Sequence, residues 1–372
     1  MKKVYIQDYN YITPLGRNSD ENWEALVANQ SGIQFHDKLL NQEGGYASLI
    51  PNSFFENILE AYDVQSYSRI VKMVLAALLP IFEKYPVNPN STLILSTTKG
   101  DIAALEQDNL LEASIPFLAE QIETFYGFRK KPIIVSNACV SGALALATAK
   151  RLIQMGVIED AYVIGVDEVT KFVLSGFSSF QAMSPEPCAP FDVNRKGVTL
   201  GEAVAVAYVS AATPSKQAVE IAGDGAVNDA NHISGPSRTG EGLYKSMVSA
   251  LKEANLSAEQ IQFISAHGTA TIYNDEMESI AFDRLELNNT PVSSFKGNFG
   301  HTLGASGLLE TLICCQIIKN QTLLPTLGFK NLGVSKPLAI VTNNKKVKVQ
   351  NILKTASGFG GCNTALILKK ID

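Results

Sequence analysis

The sequence contains few cysteines, histidines and tryptophans. Its 372 residues include five cysteines, four histidines and one tryptophan. An odd number of cysteines with no CxxC pair is atypical of a disulfide framework or of a zinc site. The sequence therefore predicts free thiols, no metal and a reducing, cytoplasmic compartment.

Long apolar runs, basic stripes and phosphate-binding glycine patterns are also missing. No uninterrupted apolar stretch is long enough to span a bilayer or to form a signal-peptide core. The formal net charge is -5, with no stripe of Lys and Arg, which gives no support for a nucleic-acid partner. The glycine spacings match neither GxxxxGK(S/T) nor a GxGxxG after the first strand, so no nucleotide cofactor is predicted.

Strand-like and helix-like segments alternate along the chain, which predicts an α/β protein. The clearest strand-like runs are 92–95, 133–135, 161–164 and 203–209. Small and turn-forming residues at 210–217 interrupt the alternation and predict a boundary. We therefore expect an N-terminal half at 1–212 and a C-terminal half at 213–372.

A faint internal repeat relates the two halves. A shift of 165 positions aligns Ser141-Gly142 with Ser306-Gly307 and Leu144 with Leu309. Each copy consists of a strand, a glycine-containing turn and an apolar helix. Chance matches among such residues are common, so the repeat alone is a weak argument. It predicts that the two turns face each other across a pseudo-dyad.

Cys139 occupies a turn between a predicted strand and a predicted helix. The strand is 133–135, and the helix is 143–153, a segment dense in strong helix formers. Unpaired N–H groups and the positive end of the helix dipole favour the thiolate, the nucleophilic form of cysteine. A buried structural cysteine fits this position equally well.

Two histidines and a lysine fall in other glycine-containing turns. His267 follows a strand-like run, whereas Lys296 and His301 lie in a loop that contains four glycines. Catalytic groups are often mounted on such loops. Taken singly, each histidine also fits a helix cap or a turn, and Lys296 fits a solvated side chain. The prediction of a catalytic site depends on these residues occurring together with Cys139.

Five ordered segments resemble those of one enzyme family. From end to end, the chain resembles β-ketoacyl-acyl carrier protein synthases of the elongating type, whose active site contains one cysteine and two histidines. The segments are 11–33, 190–202, 266–271, 296–301 and 358–363. Chain-initiating relatives have asparagine at the position of His301. Degradative thiolases need a second catalytic cysteine, whereas Cys362 aligns with a family threonine.

The resemblance implies an α/β, thiolase-like fold with two similar halves, layered αβαβα, each with a mixed five-stranded sheet. It implies an acyltransferase that performs a decarboxylative Claisen condensation. The acyl group on Cys139 would condense with malonyl-acyl carrier protein to give 3-oxoacyl-acyl carrier protein, in fatty acid or specialised polyketide or polyene synthesis. The implied partners are acyl carrier protein and a second copy of the chain in a homodimer.

The resemblance also implies how the reaction is catalysed. Cys139 would be the nucleophile, and the backbone N–H groups of Cys139 and Phe359 would form the oxyanion hole. Phe359, which lies between two glycines, would act as a gate. Neutral His267 and His301 would donate hydrogen bonds to the enolate oxygen, so we expect their pKa values to be lowered.

Further residues are implied to support these groups. Lys296 would supply a fixed positive charge and would be oriented by Glu278. Glu310 would have a structural role near the active site. Thr269 and Thr271 would contact the pantetheine arm of the substrate, although both also fit ordinary turn positions.

The sequence departs from the family pattern in several places. Segment 64–69 lacks the basic cluster that many members use to dock the carrier protein, and Ala189 stands where a basic residue is common. The basic residues at 129–131 are either a substitute docking site or a solvated loop. Ser357 stands where an aromatic residue is usual, a loss that would enlarge the acyl pocket or admit an unusual chain.

These departures leave a second hypothesis open. The chain could be the chain-length-determining partner subunit of a heterodimeric ketosynthase. Such partners typically replace the nucleophilic cysteine, whereas this chain has Cys139 together with His267, His301 and Lys296. An active condensing enzyme is therefore favoured.

Overall fold

The computed structural model describes residues 2–39, 42–229 and 235–371. Two units of the same design follow each other along the chain, each built on a mixed β-sheet covered by helices. In this described part, no helix is both long and apolar enough to cross a membrane.

The α-helices of this part are, in chain order, α1 (Ser19–Val27), α2 (Ser53–Glu56), α3 (Arg69–Lys84), α4 (Ile115–Tyr126), α5 (Ser141–Gln154), α6 (Lys171–Ser179), α7 (Glu241–Ala254), α8 (Ile272–Asp283), α9 (Lys296–Phe299) and α10 (Ser306–Asn320).

The strands are β1 (Tyr5–Ile12), β2 (Gln34–Leu39), β3 (Gln42–Ser48), β4 (Thr92–Ser96), β5 (Ile133–Val135), β6 (Asp160–Asp167), β7 (Leu200–Gly201), β8 (Ala203–Ser210), β9 (Val219–Asn228), β10 (Phe263–Ser265), β11 (Pro291–Ser293), β12 (Thr322–Leu323), β13 (Ala339–Ile340), β14 (Lys345–Lys346), β15 (Asn351–Gly358) and β16 (Cys362–Lys370).

Both halves use the same order and direction of strands. The first half has the order β5-β4-β6-β8-β1, and the second has β11-β10-β15-β16-β9. In each, the first three strands are parallel and the next two pairings are antiparallel. The predicted pair of mixed five-stranded sheets is confirmed, and β13 adds a further strand beside β11.

The two half-sheets meet at β1 and β9. Tyr5 pairs with Glu220 and Ile6 pairs with Val219, which joins the halves into one continuous sheet. The connection from β8 to β9 spans the predicted boundary between residues 212 and 213. The division of the chain into two domains at that point stays a prediction.

Helices α5 and α10 form the central layer of the predicted αβαβα arrangement. They pack on each other and contact strands of both halves, whereas α3 covers the outer face of the first half and α7 that of the second. Nearly every residue of α10 is buried, as expected of a helix that is apolar all round. All eight residues of β6 are buried because helices cover both faces of its sheet.

The central helices approach each other at two equivalent glycines. A Cβ added to Gly142 would lie 2.6 Å from a backbone nitrogen of α10, and one added to Gly307 would lie 2.5 Å from a backbone nitrogen of α5. The 165-residue repeat pairs these same glycines, so its prediction that the two turns face each other is confirmed. The contact brings the loop of Cys139 next to the loop of His301.

Candidate active site

Cys139 is buried in the turn between β5 and α5. The hydroxyl of Ser141 fixes this turn, because it donates to the Ala138 carbonyl at 2.6 Å and accepts from the Asn137 N–H at 2.8 Å. Ala138 has a φ of 44°, in the left-handed region that non-glycine residues rarely adopt. Residues in such conformations are held by their surroundings and often occur at functional sites.

His301 faces the sulfur of Cys139. Its Nε2 lies 3.0 Å from the Cys139 Sγ. Its Nδ1 accepts a hydrogen bond from the Leu303 backbone N–H at 3.3 Å and lies 3.0 Å from the Ser306 hydroxyl. Because an N–H group points at Nδ1, the neutral ring carries its proton on Nε2. His301 therefore presents an N–H donor to the space beside Cys139.

His267 joins the group from the end of β10. Its ring centroid lies 5.3 Å from that of His301, with the two rings nearly perpendicular. Its Nδ1 lies 3.4 Å from the Nζ of Lys296, an ammonium that can only donate, so the ring proton again belongs on Nε2. Glu278 holds the loop, because its carboxylate accepts the N–H groups of His267 at 2.7 Å and Gly268 at 2.6 Å.

One cysteine and two histidines thus converge in one place. The side-chain ligand atoms of Cys139, His267 and His301 all lie within 4.8 Å of one another. Each is also a type of atom that binds zinc. The prediction that no metal takes part stays a prediction.

Glu310 orients Lys296, and the prediction that Glu278 does so is wrong. The Lys296 Nζ lies 2.6 Å from the Glu310 Oε1 in a fully buried ion pair. The two residues flank one glycine loop, which folds back and brings the second turn of α10 onto α9. The oxygens of Glu278 are instead occupied by the backbone of the His267 loop. Glu310 therefore contacts Lys296 directly, and its structural role near the active site stays a prediction.

A second buried lysine, Lys354 on β15, was missed by the sequence analysis. Its Nζ lies 2.6 Å from the Glu310 Oε2 and donates to the Ser265 carbonyl at 3.3 Å. Glu310 therefore bridges two buried lysines. The available signal was that Lys354 is the one charged residue of its strand, which alone does not point to an ion pair.

Both histidines are kept neutral by their surroundings. Burial lowers the pKa of His267 well below its usual value, and the charge of Lys296 lowers it further. Burial and then Lys296 lower the pKa of His301 in the same way. This agrees with the expectation that both rings act as neutral hydrogen-bond donors.

Burial has the largest effect on the pKa of the Cys139 thiol. Burial raises the pKa of Cys139 to about 11, although the charges of Lys296 and Lys99 oppose this shift. The loss of hydration at this buried position therefore outweighs the nearby positive charges, and the predicted stabilisation of the thiolate by the helix N-terminus stays a prediction.

Phe359 lies across the site from the nucleophile. The Phe359 backbone opposes the rise that burial causes in the pKa of Cys139, and a Cβ added to Gly358 would lie 3.1 Å from the Cys139 nitrogen. The Phe359 ring stacks on Phe177 at 5.7 Å and meets the edge of Phe180 at 5.5 Å. The gate and oxyanion roles of Phe359 stay predictions.

Thr269 and Thr271 lie together at the start of α8. Their hydroxyl oxygens are 2.9 Å apart, and the Thr271 hydroxyl accepts the Asn274 N–H at 3.3 Å as a helix cap. Thr269 is buried and Thr271 is partly exposed. Their contact with pantetheine stays a prediction.

An apolar cavity of about 280 Å³ lies beside Cys139. It is lined by Thr98, Lys99, Ala138, Cys139, Phe172, Val173, Gly176, Phe177, Phe180, Leu303 and Phe359. Ser357 is not among these residues, and its hydroxyl donates to the Asn363 Oδ1 at 2.8 Å instead. The expectation that the small side chain of Ser357 enlarges the acyl pocket stays a prediction.

Comparison with known proteins gives the family of the chain. The family models described as Beta-ketoacyl synthase, N-terminal domain, and Beta-ketoacyl synthase, C-terminal domain, match residues 88–213 and 218–330, together more than half of the chain. A putative mitochondrial 3-oxoacyl-(acyl-carrier-protein) synthase of Schizosaccharomyces pombe is 28% identical over 100% of this chain and 99% of its own length. The 3-oxoacyl-(acyl-carrier-protein) synthase 2 of Rhizobium meliloti is 34% identical over 69% of this chain and 65% of its own.

A solved structure agrees with these relatives. A chain in the complex of the ketosynthase ApeO with its chain length factor ApeC, from Xenorhabdus doucetiae, superposes with a TM-score of 0.87 at 26% identity. The match covers 100% of this chain and 98% of that one. The duplicated αβαβα fold, with a cysteine and two histidines at facing loops, defines a thiolase-type condensing enzyme. More narrowly, the chain belongs to the beta-ketoacyl synthase family, and it is an acyltransferase of the 3-oxoacyl-(acyl-carrier-protein) synthase type.

Proposed function

We propose that Cys139 carries the acyl group in this condensing reaction and that His267 and His301 act on the malonyl substrate. The observation that carries the proposal is the convergence of Cys139 with two buried, neutral histidines, one of which lies 3.0 Å from the sulfur. The apolar cavity beside the sulfur supports an acyl chain as its occupant.

In the first step, the Cys139 sulfur attacks the carbonyl carbon of an acyl thioester. A new S–C bond forms, the bond to the carrier thiol breaks, and that thiol leaves with the proton that Cys139 gives up. The oxygen that becomes negative would accept hydrogen bonds from the backbone N–H groups of Cys139 and Phe359. The effect of the Phe359 backbone on the pKa of Cys139 and the close approach of Gly358 to the Cys139 nitrogen support this assignment.

In the second step, a malonyl thioester loses carbon dioxide. The electrons of the broken C–C bond form an enolate, whose oxygen accepts the Nε2–H groups of His267 and His301. The enolate carbon attacks the acyl carbonyl, and the Cys139 thiolate leaves. Burial, reinforced by the charge of Lys296, keeps both rings neutral, and Lys296, held by Glu310, fixes the His267 tautomer.

We propose acyl carrier protein as the donor of both substrates, with Thr269 and Thr271 along the pantetheine arm and Phe359 as the gate. The position of both threonines on the loop that follows His267 supports this role. The five free cysteines support a reducing, cytoplasmic location.

A second candidate is that the chain is the chain-length-determining member of a pair of unlike subunits. The ApeO and ApeC complex supports such pairing in this family. The complete set of one cysteine and two histidines favours an active enzyme, either as a homodimer or as the catalytic member of a heterodimer.

Intact mass spectrometry separates the two candidates. We expect an acyl adduct on the purified chain after addition of acyl-carrier proteins, and its loss in Cys139→Ala. His267→Ala and His301→Ala should keep the adduct but form no product with malonyl-carrier protein. Absence of any adduct on the wild type would favour the partner-subunit role, and condensation by either histidine variant would contradict the two-histidine assignment.

A further inference from the structure

The cavity beside Cys139 combines apolar walls with one positive charge. Helix α6, Leu303 and Phe359 supply the apolar side chains, and Lys99 is the one charged residue among its described lining residues. Apolar walls accept a hydrocarbon chain. Displacing water from the Lys99 ammonium costs free energy, however, unless the bound chain offers a hydrogen-bond acceptor in its place. Lys99 therefore gives a mostly apolar cavity one position that favours a polar group.

Lys99 lacks a carboxylate partner of the kind that Lys296 has. Its Nζ donates to the Thr98 hydroxyl, which donates to the Asp167 Oδ1 at 2.9 Å. Among the described residues it forms no ion pair, whereas Lys296 lies 2.6 Å from Glu310. Lys99 thus keeps donor capacity for a bound molecule, because an ammonium has three N–H groups.

The charge of Lys99 acts on the reacting groups. Burial is the main cause of the pKa shifts of Cys139 and His301, and Lys99 contributes to both as a nearby positive charge. Burial also raises the pKa of Asp167, and Lys99 is the first charge that opposes this. The ammonium is therefore close enough to an acyl group on Cys139 to influence it.

We propose that Lys99 selects acyl chains that carry a hydrogen-bond-accepting oxygen, such as a carboxylate or a ketone, over plain saturated chains. The proposal rests on the proposed acyl-carrying role of Cys139. An oxygen in the chain replaces the water lost by the Lys99 ammonium, and a charge-assisted hydrogen bond is among the stronger ones in proteins. A saturated chain of the same length leaves the ammonium without that partner.

The test measures acylation of Cys139 by acyl-pantetheine thioesters, which do not require carrier docking. Octanoyl-pantetheine is compared with chains of equal length that carry a 3-oxo group or a terminal carboxylate, by intact mass over time. We expect the wild type to prefer at least one oxygenated chain, and Lys99→Met to lower the ratio of oxygenated to octanoyl rates by about 10–100-fold. Lys99→Arg should keep the preference, since it keeps the positive charge.

Lys171→Met is the matched control. Lys171 lies on α6 next to the cavity residue Phe172, but its Nζ pairs with Glu106 at 3.2 Å. We expect this control to leave the ratio of oxygenated to octanoyl acylation rates unchanged.

The proposed selection is refuted if Lys99→Met keeps the wild-type ratio of rates, or if it slows acylation by every chain to the same extent. Lys99→Gln provides the same measurement should Lys99→Met fold poorly. Absence of acylation of the wild type by every thioester would refute both this proposal and the role of Cys139.

Discussion

At Cys139, burial and nearby positive charge act on the thiol in opposite directions, and burial is stronger. Because its pKa is raised to about 11, the thiolate fraction should rise tenfold for each pH unit from neutral pH towards that value. We expect the rate of alkylation of Cys139 by iodoacetamide to follow this rise, measured on the Cys139 peptide by mass spectrometry. A rate that levels off below pH 9 would contradict the protonated resting state.

The buried group of Glu310, Lys296 and Lys354 makes a prediction about stability. Glu310→Gln leaves two buried lysines without their shared counter-charge, and we expect a loss of roughly 3–5 kcal/mol in the free energy of unfolding. Lys354→Met in that background removes one stranded charge, so the double variant should be more stable than Glu310→Gln alone. Urea denaturation of the single and double variants measures both effects.

Glu186→Gln is the matched control for this experiment. Glu186 is exposed and pairs with Lys196 at the surface, so its loss should change the free energy of unfolding by less than about 1 kcal/mol. An equally small effect of Glu310→Gln would mean that Lys296 and Lys354 do not depend on Glu310.

At the scale of single residues, the sequence identified those site residues whose position depends on their neighbours in the chain. Cys139, His267 and His301 were found because each lies in a turn that its own neighbours predict. The partner of Lys296 was not found, because the choice between Glu278 and Glu310 depends on how a loop folds back on α10. Lys354 was missed for the same reason, since its partner comes from another element.

Among the elements, the contact between α5 and α10 gives the sharpest prediction. Gly307→Ala places a methyl group 2.5 Å from a backbone nitrogen of α5, where backbone rather than a flexible side chain must move. We expect a loss of about 1–3 kcal/mol in the free energy of unfolding and slower acylation of Cys139, because the catalytic loops begin at this contact. Thermal melts and intact-mass rates measure the two effects.

Gly176→Ala controls for the substitution itself. Gly176 also lies in a helix, but no atom lies within 4 Å of an added Cβ there. Alanine favours helix over glycine, so this variant should be neutral or more stable by up to about 1 kcal/mol. If Gly307→Ala were as stable as Gly176→Ala, the close approach would not constrain the helices.

Elements with a strong periodic pattern were predicted nearly to the residue. The predicted strand 133–135 coincides with β5, and the predicted helix 143–153 lies within α5, which starts earlier because Ser141 closes the preceding turn. Several strands were not predicted, β2 and β13 among them. Most of β2 faces solvent, and β13 has only two residues, so neither offers an alternating pattern.

At the scale of the whole molecule, the edge strand β5 is a candidate interface with a second copy of the chain. It lies at one end of the sheet order, and among the described strands β4 alone pairs with it. Ile134 on this strand is exposed, and an unprotected apolar edge tends to pair with another chain. We expect light scattering to give twice the chain mass for the wild type and a shift towards the monomer for Ile134→Lys. Met155→Lys, at an exposed residue just after α5, should leave the mass unchanged, and a dimeric Ile134→Lys would place the interface elsewhere.

The position of β1 has a consequence for synthesis on the ribosome. This strand is made before the other described strands, yet it lies in the middle of the sheet between β8 and β9, and its Tyr5 pairs with Ser210. At about 5–20 residues per second, β1 emerges on the order of 10–40 s before its partners exist. The unpaired edges of this strand are then open to wrong pairing, and contacts so distant in sequence also slow folding. The seam between the halves therefore cannot close until more than half of the chain has been translated.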